Sequence, residues 1–331
     1  EFKSKLAKQL RLDLRPGQRF LTLYFDPLVV PPWYQPATNW KGDEKFYLYA
    51  RQMLLPNSNV AEAVPHANGY EGAETKEFKG LFGDAHALCS QNRKRKLPPN
   101  DLPMFRFCQV TATDLIVTQS FDRPAKVGGT APDNQELDKR YFTGQSNDKQ
   151  DNVRIYRPCK TRLRCQFASA LKVLPSIEDC RRELASLKAT WFDERDGAVL
   201  MSQDQSALLS EALRERLSQE SFDAAQFEAQ VESDKLDVLT IATKAPNAAL
   251  LVLADQYYPG WRARVDGKAV RILRANVFSR AVEVPAGAHT VTFSYEPESL
   301  FWGFCLAATA LLATAMLYCL SWFWQRRLSK R

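Results

Sequence analysis

Eight consecutive residues, Asp255-Gln256-Tyr257-Tyr258-Pro259-Gly260-Trp261-Arg262, bring together three aromatic rings, an acid, an amide and a guanidinium. Aromatic faces stack on the C–H side of a sugar ring, and acid, amide and guanidinium groups hydrogen-bond its hydroxyls. Asp255, Tyr257, Tyr258, Trp261 and Arg262 are therefore the candidate ligand-binding residues. The same types serve a structural role equally well: Tyr and Trp can fill a β-sandwich core while Pro-Gly turns the chain.

Other chemistry is sparse. There is no Gly-x-Ser-x-Gly elbow, no phosphate-binding Walker loop and no Gly-x-Gly-x-x-Gly after a strand. The three histidines, His66, His86 and His289, have no partner at metal-binding helical spacing, so no metal site is assigned. Ser146-Asn147-Asp148-Lys149 matches Ser-x-x-Lys in form but stands in a polar stretch without supporting motifs. Acidic residues are scattered, and no paired general acid and base emerges. The basic run Arg93-Lys94-Arg95-Lys96 reads either as a contact for anionic headgroups or a phosphorylated glycan, or as a solvated loop. Seven cysteines include Cys305 and Cys319 in an apolar run, where they are packing residues. Of the other five, Cys159 and Cys165 are near enough to close a small disulfide loop in an oxidising compartment, and free buried thiols fit as well.

The elements that would position these residues divide the chain. Hydrophobic residues make up 45% and charged residues 25%, a globular composition that excludes a disordered chain. The net charge of +7 owes much to Arg326, Arg327, Lys330 and Arg331; the rest carries 41 positives against 38 acids. That balance argues against a nucleic-acid partner. The chain opens on Glu1 with no signal-peptide pattern and reads as part of something longer.

Phe2, Leu6, Leu10 and Leu14 are four apart, one stripe of a helix. Arg19–Asp26 reads as a strand ended by Pro27, Pro31 and Pro32. Glu71–Cys89 reads as a helix with Phe78, Leu81 and Phe82 as its apolar contacts, followed by a loop through Asp101. Asp114–Gln119 and Val153–Tyr156 read as strands separated by a long polar loop from Pro124 to Asp151. Helices are predicted at Ile177–Ala189 and Ser206–Leu217, the latter capped by its serine.

After Phe222 the pattern becomes short, branched and alternating: Leu236–Thr243, Ala249–Ala254, Ala263–Val265, Ala269–Leu273, Ala281–Val284 and Thr290–Tyr295. Asp266-Gly267 between two such runs predicts a tight hairpin, and Pro285-Ala286-Gly287-Ala288 a second. The expected fold is α+β: a mixed α/β region over 1–221, an antiparallel β-sandwich over 222–298, a transmembrane helix over 299–325 and a basic tail over 326–331.

The membrane span is the strongest signal. Phe301 to Trp324 holds 24 residues without a charge, about 36 Å of helix against a hydrocarbon core of about 30 Å. Phe301 and Trp302 at one end, and Trp322 and Trp324 at the other, suit the two bilayer interfaces. Arg326 and Arg327 follow at once, whereas Glu296 and Glu298 precede. Positive-inside bias then predicts a cytoplasmic C-terminus and an extracytoplasmic location for residues 1–300.

Leu250 to Gly303 runs through an apolar strand, Tyr-Tyr-Pro-Gly-Trp, an Asp-Gly hairpin, an Arg-Ala-Asn strand and a Pro-Ala-Gly turn before the final span. That order resembles the end of the YfhO-like bacterial membrane proteins. Leu55-Pro56-Asn57 and Asn68-Gly69-Tyr70 resemble the family's earlier Pro-Asn and Gly-Tyr landmarks and Val153-Arg154-Ile155-Tyr156 its later short strand, while the polar stretch from Pro124 to Asp151 has no counterpart. The resemblance implies a multi-pass cell-membrane protein similar to the GT-C class of glycosyltransferases. Such enzymes transfer sugar from a polyprenyl-phosphate carrier, some with a divalent metal, to an acceptor outside the cytoplasm. Their catalytic carboxylate lies in an early outer loop, which has no match here, so no catalytic residue or cofactor is carried over. The implied partners are the bilayer, upstream membrane helices and an envelope glycan or lipid-linked sugar. A non-catalytic, membrane-anchored glycan-binding or scaffolding ectodomain is the alternative.

Overall fold

The structure, a computed structural model, describes residues 12–14, 18–23, 76–78, 80–85, 101–119, 137–148, 153–188, 191–219, 226–235 and 237–328. The helical stripe at Phe2, Leu6 and Leu10 lies outside these residues. So do the prolines at 27–32, the landmarks at 55–57 and 68–70, Cys89 and Arg93–Lys96.

In chain order, the first sheet holds β1 (Phe20–Leu23), β2 (Leu115–Gln119), β3 (Phe142–Asp148) and β4 (Val153–Pro158), arranged β1-β2-β4-β3. β1 runs parallel to β2, and the other pairings are antiparallel. β3 corrects the expected loop over Pro124–Asp151. Its own sequence, Phe-Thr-Gly-Gln-Ser-Asn-Asp, is too polar to read as a strand, and it forms because β4 supplies a ladder and Phe142 enters the core. Residues 76–78 and 80–85 are helical, as expected, with Phe78 and Leu81 buried.

Helix α1 (Leu102–Val110) was not evident in the sequence, because almost every side chain on it is buried and no polar face marks its period. Phe78, Phe107 and Phe278 meet there edge to face or tilted, with centroids 5.0–6.5 Å apart. Helix α2 (Ile177–Ala185) is capped by Ser176, whose hydroxyl accepts from the Asp179 N–H at 3.2 Å. The helix expected over Ser206–Leu217 is two: α3 (Gln203–Ser206) and α4 (Glu211–Ser218). The Ser206 hydroxyl turns back to the Gln203 carbonyl, so it caps neither.

Two antiparallel sheets face each other over a common core. One has the order β13 (Leu273–Ala275), β14 (Ser279–Val284), β10 (Ala249–Gln256), β5 (Cys165–Phe167). The other has the order β12 (Lys268–Val270), β11 (Trp261–Val265), β15 (Gly287–Tyr295), β9 (Val238–Ala245), β8 (Glu228–Asp234). This is the expected β-sandwich. The four-stranded sheet is buried on both faces: Ala249, Leu251 and Leu253 face the sandwich core, while Leu250 and Val252 face a second core. That second core is covered by the parallel pair β6 (Ala170–Leu174) and β7 (Ala198–Ser202) and by Leu213 and Leu217 of α4. Double burial is why β10 reads as one unbroken apolar run, whereas β9, solvated on one face, alternates.

Two turn expectations divide. Asp266-Gly267 does join β11 to β12, with φ of 49° and 80°, the left-handed pair a two-residue hairpin needs. Pro285–Ala288 does not close a hairpin: β14 and β15 lie in opposite sheets, so the chain crosses the sandwich there. The run Ala269–Leu273 likewise splits between sheets, leaving one as β12 and entering the other as β13.

Helix α5 (Glu298–Leu328) ends the described chain, and Phe301–Leu320 is its span-length apolar segment, with none of that stretch buried. Twenty residues at 1.5 Å each give about 30 Å, the hydrocarbon thickness.

Candidate functional site

Strand alternation divides the aromatic segment. Trp261, Ala263 and Val265 point into the sandwich, while Arg262 and Arg264 point out. Asp255 lies near the end of β10, in step with Leu251 and Leu253, which face the sandwich core, and the ladder with β14 slips between Leu253 and Gln256.

The carboxylate of Asp255 is held by three arginines from three distant segments. Arg19 donates to Oδ1 and, through Nη1, to the Ala254 carbonyl at 3.1 Å. Arg164 grips both oxygens, from Nε at 3.2 Å and Nη2 at 3.0 Å, and also pairs with Asp234. Arg280 donates from Nη2 to Oδ2 at 3.2 Å. The Asp255 side chain is only 12% exposed and that of Arg280 only 5%. Burial alone would raise the Asp255 pKa, but the positive charges of Arg19, Arg164 and Arg280 outweigh it and hold the carboxyl far below the usual range. Burial pushes Arg280 down to about 10, opposed by Asp255 and reinforced by the neighbouring arginines. The Nε and Nη1 groups of Arg280 find no acceptor among the described residues; its guanidinium instead lies over Trp261 at 4.0 Å and near Phe293 at 5.4 Å.

The structure thus links Asp255 and Trp261 through Arg280. Tyr257 is tied in separately, beneath the Arg274 guanidinium at 4.6 Å, which also pairs with Glu77 at 2.9 Å. Tyr258 and Arg262 turn away. Tyr258 is 41% exposed, its ring 6.4 Å from Tyr295. Arg262 lies 3.4 Å from Glu296 and 3.8 Å from Glu298. The five candidates therefore form an inner set of Asp255, Tyr257 and Trp261 and an outer set of Tyr258 and Arg262. Arg19, Arg164, Arg280 and Asp234 were not singled out from the sequence. The available signal was a charge in an apolar strand, as at Arg280 in Phe-Ser-Arg-Ala-Val, but pairing across 236 residues is not a local pattern.

The Arg-Ala-Asn landmark also acquires a cause. Asn276 has φ of 47°, and it exchanges two hydrogen bonds with Leu200 of β7, from its own N–H at 2.8 Å and to its side-chain oxygen at 3.0 Å. Asparagine tolerates that left-handed backbone and supplies the acceptor.

Phe301 and Trp302 stand on the first turns of α5, both exposed, with rings 5.6 Å apart. Trp322, Trp324, Arg326 and Arg327 lie on its last turns. Cys165 is a buried free thiol, pushed up to about 11 by burial, and Cys159 is exposed and free, so the two are not bridged here. A cavity of about 550 Å³ opens at the other end of the sandwich between Val265, Val270, Leu273, Arg271, Glu283 and His289. Among the described residues no group of three or more His, Cys, Asp or Glu side chains converges to hold a metal ion.

Residues 204–307 match the family model of the bacterial membrane protein YfhO. The match runs from α3 through the sandwich and into the apolar part of α5. No curated protein and no solved structure matches the chain.

Proposed function

We propose that this chain belongs to the YfhO family and is the C-terminal extracytoplasmic part and last span of a multi-pass, GT-C-type glycosyltransferase. It would move sugar from a polyprenyl-phosphate carrier to a cell-envelope acceptor. The described residues act as the outer module; the catalytic carboxylate, the carrier and any divalent metal belong to upstream spans.

The observation that supports this reading is the junction at Glu296-Pro297. Only two residues separate β15 from α5, so with α5 in the membrane the sandwich would be held close to the bilayer surface, where a lipid-linked donor and an external acceptor would meet. The test is reconstitution of the full gene product in vesicles with polyprenyl-phosphate sugars. Sugar transfer to an envelope glycan is the expected result; glycan binding without transfer would reject it.

A second reading, a non-catalytic glycan-binding or scaffolding ectodomain, draws on two observations. The inner charges are committed to one another, and the 550 Å³ cavity at the far end is lined by both apolar and charged side chains, among them Val270, Leu273, Arg271 and Glu283.

A further inference from the structure

The segment Tyr257–Gly260 is fastened to the strand–helix junction. The Gly260 carbonyl accepts from the Glu296 N–H at 2.7 Å. Gly260 has φ of 101°, and a Cβ there would stand 2.9 Å from the Tyr295 ring and 3.2 Å from the Pro297 Cα. The loop and the junction are thus in van der Waals contact, which only glycine permits. Glu298 opens α5 and Phe301 opens its apolar stretch, three residues or about 4.5 Å further along the axis. A loop touching Pro297 therefore stands within the headgroup layer, and its tip residues, Tyr258 and Pro259, are its exposed ones. Tyr258 sits beside Tyr295, itself 37% exposed, their rings 6.4 Å apart, and Phe301 and Trp302 are exposed on the first turns of α5. Tyrosine, with an apolar ring and a polar tip, is the side chain that interface favours.

We infer that the Tyr258-Pro259 tip is a bilayer-docking surface that rests among phospholipid headgroups and fixes the sandwich against the membrane. The inference rests on the membrane reading of α5, and its occupant is the lipid interface, not a sugar and not an upstream helix. Arg262, 54% exposed, would add a contact to lipid phosphate from the outer face of β11.

The test uses the full chain in nanodiscs of phosphatidylglycerol and phosphatidylcholine, with photoreactive benzoylphenylalanine placed singly at Tyr258, Phe301 or Lys268. Lys268 lies at the other end of β11's hairpin and serves as the distal control. Phospholipid adducts at 258 and 301, and none at 268, are expected. Adducts at 301 alone, or protein or glycan adducts at 258, overturn the docking surface while leaving the membrane span intact. Loss of adducts at 301 overturns the span itself. The probe at Pro259 repeats the measurement should the variant at Tyr258 fold poorly.

Discussion

At the scale of single residues, the Asp255 carboxylate decides the energetics of the sandwich's membrane-proximal end. Three guanidiniums converge on it, and two of them have no other acidic partner in the contacts described above. Asp255→Asn should destabilise the protein by about 3–5 kcal/mol, because it strands buried positive charge. Arg280→Met should cost less, since Arg19 and Arg164 still pair the carboxylate; denaturant melts of the two variants compare them. The pKa of Asp255 is depressed in the fold, so its stabilisation is complete above about pH 4 and is lost as pH falls below that value. The acid limb of the stability curve should flatten in Asp255→Asn. His289 behaves oppositely. Its Nδ1 faces Asp266 at 2.6 Å and its Nε2 the Ala286 carbonyl at 3.0 Å, hydrogen bonds that favour the imidazolium and raise its pKa. Its contribution is full below about pH 6.5 and is lost as pH rises through the raised value. Ring proton shifts should report titration above the ordinary histidine value, returning toward it in Asp266→Asn.

At the scale of elements, two glycines separate backbone conformation from packing. Both Gly260 and Gly267 have positive φ, but a Cβ at Gly260 meets Tyr295 and Pro297, whereas nothing lies within 4 Å at Gly267. Gly267→Ala should cost about 1 kcal/mol of left-handed strain. Gly260→Ala should cost more, about 2–4 kcal/mol, because it also separates the loop from the junction. Thermal unfolding of the pair measures the difference. The buried strand β10 and the alternating strand β9 make a similar point: one sheet of the sandwich is an interior layer and the other is its outer wall.

For the whole molecule, the sandwich, its second core and the membrane helix form a chain of attachments rather than separable parts. β5, from residues 165–167, completes the four-stranded sheet, and Val277 and Phe278 of the sandwich enter the core around α1. Topology is the property that distinguishes an outer module from an inner one. Replacing Arg326, Arg327, Lys330 and Arg331 with Gln should weaken the orientation bias, and protease protection should find residues 1–300 outside in the native protein. A native tail accessible from outside would reverse the assignment.

The membrane span, the Asp-Gly hairpin and most strands of the sandwich were legible in the sequence, because each depends on local facts: an uncharged run, a turn pair, a two-residue alternation. The missed elements share a physical reason. Helix α1 is buried nearly all round, β3 is polar, and β8 alternates without strong apolar residues, so neighbours rather than local preference decide them. The same holds for the site. Asp255, Tyr257, Tyr258, Trp261 and Arg262 stood out by type and spacing, yet a strand's alternation separates its two faces, and arginines from residues 19, 164 and 280 enclose the acid. Ion pairing over such separations is set by how the sheets stack, and only the folded chain decides that.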